Sequence, residues 1–228
     1  MGGVLGRLLA RNPQSLDQPR QPRDRFFGVC WHTALFGVAL CRSSGVPARL
    51  RCGFATYFTP GFLEDHWICE AWDSIRWRRV DPELGPAAQT RLGLALDAAD
   101  LPPGAFLTAA EAWERLRGGA VPAYRFGVST IGIAGAWFAA ASLPRDLAAM
   151  LGCEALPWDY WGPAARFREG GLGPWLERLD RLAGDLLAVD RGALDPGQVL
   201  ERHRWTAPTG PVVSYPFGEP VEMRLPKL

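Results

Sequence analysis

From Cys30 onward the apolar positions switch between a helical and a strand-like spacing. Ala34, Leu35, Val38, Ala39 and Leu40 recur with helical period, Gly45 supplies a stop and Pro47 forbids continuation. This predicts a helix that begins at or near Cys30. Ala48 to Phe58 alternates as a strand and ends in the turn residues Thr59, Pro60 and Gly61. His66, Ile68, Glu70 and Trp72 then alternate with Trp67, Cys69 and Ala71, and a second strand pattern runs from Ile75 to Asp81. Read as a two-residue hairpin loop, Asp73 and Ser74 put Trp72 opposite Ile75 and, counting outward, His66 opposite Asp81. Directly opposed side chains have Cβ atoms about 4.5–5.5 Å apart, close enough for a carboxylate to orient an imidazole. That register favours Asp81 over Asp73 as a partner for His66.

The second half is patterned mainly as helices. Thr108 is placed to cap a short helix through Leu116, with Glu111 at the capping-box position. Phe126 to Leu143 carries no charge and is long enough to span a bilayer, but its Ser, Thr and Gly residues and abundant Ala favour a buried helix. Trp175, Leu176, Leu179, Leu182, Ala183, Leu186 and Leu187 give an amphipathic helix over Pro174 to Val189. Pro196 to Arg204 reads as another helix, and Thr206 onward as an extended tail. Residues 11–25 and Leu84 to Pro103 read as irregular, with Asp97 and Asp100 solvated. The expected division is a core over 1–103 and a mainly helical C-terminal extension over 104–228, packed on the core.

Composition narrows the possibilities only by exclusion. With 25 basic and 24 acidic residues the chain of 228 has a formal charge of +1, so no bulk electrostatic attraction to nucleic acid or an anionic membrane is expected. Five cysteines, at 30, 41, 52, 69 and 153, form no CxxC pair, and their odd number argues against a complete disulfide framework. A reducing compartment fits. The three histidines, His32, His66 and His203, are not spaced as metal ligands, and no metal is expected. The N-terminal apolar run is too short for a secretory signal and lacks the myristoylation Ser or Thr, so a cytoplasmic location is expected.

The chemistry-bearing residues occur in the order Cys30, His66, Asp81. A thiolate is the reactive form of cysteine, and a helix N-terminus or an imidazolium favours it. Free backbone N–H groups at the helix start also suit a developing oxyanion. His32 is two positions from Cys30, about 200° round a helix, and so points elsewhere. His203 falls in a polar helix and reads as a surface residue.

Gly28-Val29-Cys30, Gly45-Val46-Pro47-Ala48-Arg49, Gly53-Phe54, Asp65-His66-Trp67, and Trp77 with Val80-Asp81-Pro82 resemble the transglutaminase-like superfamily. The resemblance implies an α+β fold with a papain-like core, in which the helix bearing the cysteine packs on an antiparallel sheet. It implies Cys30 as nucleophile, His66 as base and Asp81 as its orienter. Glu111-Ala112-Trp113, Arg145-Asp146-Leu147-Ala148-Ala149 and Leu156 to Gly162 resemble a bacterial subgroup of that superfamily.

The expected activity is acyl or amide transfer through a Cys30 thioester, resolved by water in an amidase or peptidase, or by an amine in an amide-forming acyltransferase of metabolite biosynthesis. A catalytically silent binding or scaffold protein is the alternative. Substrates would be amide- or acyl-containing small molecules, peptides or carrier-bound acyl groups, with no cofactor, nucleic acid or membrane involved. Trp67, Glu70, Trp158 and Trp161 are candidates to line the substrate site. For Glu70 the competing reading is a solvated or salt-bridged strand carboxylate, and for the tryptophans ordinary packing. Cys41, Cys52, Cys69 and Cys153 read as small buried hydrophobes.

Overall fold

The computed structural model describes residues 2–214 and 221–223. In chain order the helices are α1 (Gly2–Arg11), α2 (Cys30–Ser43), α3 (Pro86–Leu92), α4 (Ala109–Arg117), α5 (Ala136–Met150), α6 (Leu176–Asp190) and α7 (Pro196–Arg202). The strands are β1 (Ala48–Ala55), β2 (Leu63–Trp72), β3 (Trp77–Val80), β4 (Phe106–Thr108), β5 (Phe126–Val128), β6 (Ile133–Ala134), β7 (Tyr160–Trp161), β8 (Val212–Ser214) and β9 (Val221–Met223). One sheet has the order β4-β1-β2-β5-β6, with β3 also paired to β2; β7, β8 and β9 form a small second sheet. This is an α+β fold, with a largely antiparallel sheet against α2 and a mainly helical second half. The larger sheet continues past residue 103, since β4, β5 and β6 all join it.

β2 is the axis of the larger sheet. Along one edge it pairs with β1 from Glu64 to Ala71. On its other edge it pairs with β5 at Leu63 and Glu64 and with β3 from Cys69 to Trp72. Asp65 to Ile68 therefore lie in a gap on that edge, between β5 and β3, and His66 is inside the gap. Gly53 on β1 lies opposite both His66 and Thr108, where a Cβ would come within 2.1 Å of the Leu107 carbonyl oxygen. Only a residue without a side chain lets β1 and β4 approach so closely.

The hairpin differs from its expected register. Trp72 pairs with Trp77, so the loop contains the four residues Asp73 to Arg76 and not two. Asp73 is the cause: its Oδ1 accepts the backbone N–H of Ile75 at 2.9 Å and of Arg76 at 2.8 Å, while Ser74 takes a left-handed φ of 79°. Ile75 is pushed out of the strand and is 83% exposed. The new register sets Val80 against Cys69, so Asp81 falls beside Ile68, two positions from His66. A shift of two residues keeps every side chain on its expected face, whereas a shift of one would reverse them all.

Two cores flank the sheet strands. Trp31, Ala34, Leu35 and Val38 of α2 pack on Leu50, Cys52, Trp67 and Cys69. The larger core centres on α5, buried from Phe138 to Met150, with α4 and α6 against it. The expected helix over Phe126 to Leu143 is corrected here. Its first residues form the β5-β6 hairpin, turned at Gly132 with φ 65°, and the helix starts only at Ala136. Thr108 and Glu111 make the expected capping box on α4. α3 interrupts the stretch read as irregular. The tail expected after Thr206 supplies β8 and β9, and residues 215–220 and 224–228 of it lie outside the described residues.

One ion cluster ties the two halves of the chain together. Arg51 on β1 is fully buried; it donates to Asp146 of α5 at 2.9 and 3.0 Å, to Asp190 of α6 at 2.7 Å and to Glu70 of β2 at 2.8 Å. Asp146 also accepts the Cys52 backbone N–H at 2.9 Å. No helix of the described residues is long and apolar enough to cross a membrane.

Candidate active site

Cys30 is the first residue of α2, and Val29 before it is extended, with φ −109°. The Val29 N–H donates to His32 Nδ1 at 3.1 Å, so the His32 ring folds back over the helix start. Gly28 makes this possible, because a Cβ there would lie 2.9 Å from the ring. His32 therefore shapes the turn that presents Cys30, and burial holds its pKa below the ordinary value. Of the first-turn N–H groups, that of His32 donates to the Val29 carbonyl at 2.8 Å, and those of Cys30 and Trp31 are the ones a helix start leaves for a developing oxyanion.

His66 is almost wholly buried, and its Nε2 lies 2.8 Å from Asp81 Oδ2. One ligating atom from each of Cys30, His66 and Glu83 falls within 4.8 Å of the others. Since Nε2 is engaged by Asp81, Nδ1 is the ring nitrogen left for the thiol. Asp81 is itself fixed on three sides. Tyr57 donates its hydroxyl to Oδ2, the Glu83 N–H donates to Oδ1 at 2.9 Å, and the Asp81 N–H reaches the Ala98 carbonyl at 2.8 Å. Phe58 covers the imidazole edge-on, with ring centroids 4.9 Å apart.

Burial alone would lower the His66 pKa, but hydrogen bonds to Asp81 and Cys30 and the charges of both override it and push the ring up to about 10. For Asp81, burial pulls upward and the His66 and Tyr57 bonds prevail, leaving the carboxyl below its ordinary range. A raised folded pKa stabilises the fold fully below the ordinary value of 6.5, and that contribution is lost as pH rises through about 10. The Asp81 contribution has the opposite sign and disappears on acidification below 3.8. The unfolding free energy of the native protein minus that of His66→Gln is thus expected to shrink steadily between pH 6.5 and 10 in urea titrations. A difference that stayed flat over this window would show that His66 is not held protonated.

Residues 10–82 match the family model of the transglutaminase-like superfamily. This segment is a transglutaminase-like core. It contains Cys30, His66 and Asp81, the three residues that the fold brings together. Comparisons with curated proteins and with solved structures gave no match.

The other residues singled out from the sequence are engaged elsewhere in and around the transglutaminase-like core. Trp67 is buried against the α2 cluster, on the face of β2 opposite His66. Glu70 shares the His66 face but is buried between Arg49 at 2.7 Å and Arg51 at 2.8 Å, which is the salt-bridged alternative. Trp158 donates to Asp65 Oδ2 at 3.1 Å, and Asp65 leaves β2 on the face opposite His66. Trp161 is buried in a satellite core with Cys153 and Val212 and donates to the Thr206 carbonyl at 2.7 Å. His203, expected at the surface, is buried and bonded to Asp185 at 3.0 Å.

Tyr57, Phe58 and Glu83 went unrecognised in the sequence. None belongs to a motif; each reaches the site from a turn just beyond a strand. Beside the start of α2, a groove of about 510 Å³ runs along α1, walled by Leu5, Leu8, Phe26, Phe27, Phe36 and Pro82 among others.

Proposed function

We propose that the protein is a cysteine-dependent acyl-transfer enzyme in which Cys30 attacks an amide or acyl carbonyl. The observation that carries this reading is the convergence of the Cys30 thiol, the His66 ring and the buried Asp81 at the start of α2. In the first step the sulfur forms a bond to the carbonyl carbon, and the thiol proton resides on His66. The tetrahedral intermediate collapses as the C–N bond breaks, and His66 returns the proton to the leaving amine. Asp81 holds the ring and stabilises its positive charge through both events. Water or an amine, deprotonated by His66, then attacks the thioester and releases Cys30. Water makes the enzyme an amidase or peptidase, and an amine makes it an amide-forming acyltransferase. The apolar groove flanking α2 supports substrates with a hydrophobic group close to the reacting carbonyl.

Aryl esters of short and long acyl chains test the reading without knowledge of the natural substrate. A burst of released phenol is expected, with a mass increase equal to the acyl group on Cys30 that hydroxylamine removes. Addition of a simple primary amine should then divert product from acid to amide if transfer is the activity. Acylation of another cysteine, or none, would refute the assignment.

A further inference from the structure

We propose that Cys30, His66 and Glu83 form a site for a borderline-soft divalent cation, with Zn²⁺ as the type, and that its occupation closes the nucleophile reversibly. Sulfur, nitrogen and carboxylate oxygen converge here within 4.8 Å of one another. This mixed donor set suits zinc-class ions, whereas magnesium and calcium take oxygen ligands. Tetrahedral zinc, with bonds of about 2.0–2.3 Å, draws its ligand atoms to roughly 3.3–3.7 Å of each other. Glu83 is exposed, so its side chain can rotate to supply that contraction, and the cation has a path in from solvent. Three protein ligands leave the fourth position to water.

The surroundings of His66 strengthen the case. A metal-bound imidazole commonly has its second ring nitrogen fixed by a carboxylate, and here buried Asp81 holds Nε2 at 2.8 Å while accepting from Tyr57 and the Glu83 N–H. That leaves Nδ1 as the ring nitrogen free to ligate a cation beside the thiol and the Glu83 carboxylate. On binding, zinc forms bonds to the thiolate sulfur, the imidazole nitrogen and the carboxylate oxygen, and the proton shared by thiol and imidazole passes to solvent. Loss of turnover on binding rests on the proposed function; the binding itself rests only on the geometry.

The test uses the full-length protein, stripped with EDTA and titrated with Zn²⁺ against a fluorescent zinc chelator, with iodoacetamide labelling of Cys30 mapped in parallel. One equivalent should bind and protect Cys30 from alkylation, and Glu83→Gln should weaken binding about tenfold or more. Co²⁺ in the same site should show a thiolate-to-metal charge-transfer band that Cys30→Ser lacks. Failure of zinc to protect a rapidly alkylated Cys30 would overturn the metal site and leave the nucleophile in place. Unchanged affinity in Glu83→Gln would also overturn it, by removing the third ligand. Zinc binding with full protection at a Cys30 no more reactive than the other cysteines would uphold the site and refute the catalytic reading instead.

Discussion

Asp81→Asn is expected to lower the acyl-transfer rate by about 10³–10⁴-fold with the fold intact, as loss of the triad carboxylate does in serine proteases. An amide preserves the size of the side chain, but its single carbonyl oxygen can accept either from the Glu83 N–H or on the side of Tyr57 and His66, and its NH2 then faces the other. What it removes is the negative charge on which the protonated His66 ring depends. Without the carboxylate the ring loses the hydrogen bond to Asp81 that does most to raise its pKa, together with the smaller effect of the charge, and the tautomer presented to Cys30 is no longer fixed. Asp73→Asn is the matched control. Asp73 shapes the hairpin loop through its Oδ1, which an asparagine retains, so its rate should stay near that of the native protein. Comparing burst rates of the two variants on the same aryl ester checks the pair; a larger loss from Asp73→Asn would show that the wrong aspartate has been assigned.

Arg51→Ala is expected to destabilise the protein by about 3–5 kcal/mol, because it strands buried carboxylates that Arg51 now compensates. Asp146 is fully buried, Glu70 nearly so, and Asp190 partly; Glu70 keeps Arg49 and Arg79 and Asp190 keeps Arg49 at 3.6 Å, so the loss falls chiefly on Asp146. A typical domain is stable by only about 5–15 kcal/mol, so the loss is a large fraction of the total. Because Asp146 and Asp190 lie on α5 and α6, the damage should appear as one cooperative transition shared by the two halves, shifted to lower urea. Tryptophan fluorescence and Cys30 alkylation should report the same midpoint. Separate midpoints would mean that the second half unfolds independently of the core.

How far the sequence could be read depended on whether an element was specified locally. Cys30 at a helix start, the Thr108-Glu111 cap and the amphipathic α6 all follow from neighbours within a turn or two, and the fold has each of them. The register of the β2-β3 hairpin did not follow, because the Asp73 side chain closes a longer loop than two residues suggest. The partnership of His66 and Asp81 survived that error because the shift was even. α3 has no buried residue and so no apolar periodicity to reveal it. The Phe126 to Leu143 stretch misled for the reverse reason: uniform apolar character does not distinguish a buried hairpin from a buried helix. Glu70 and Trp161 have the residue types of a binding site, and only the folded chain shows that Arg49, Arg51 and the Thr206 carbonyl already occupy their polar atoms. Tyr57, Phe58 and Glu83 are the converse case, brought to the imidazole by turns whose path no local pattern encodes.

The most direct test of the central claim is the reactivity of the five cysteines in the native protein toward sub-stoichiometric iodoacetamide at neutral pH, followed by peptide mass mapping. Cys30, half-buried at the mouth of the site, competes with Cys41, also half-buried, and with the buried Cys52, Cys69 and Cys153. Labelling should fall on Cys30 alone, and His66→Ala should slow it by about tenfold or more while the other four remain unlabelled. Equal labelling of Cys30 and Cys41, unchanged by His66→Ala, would contradict the account.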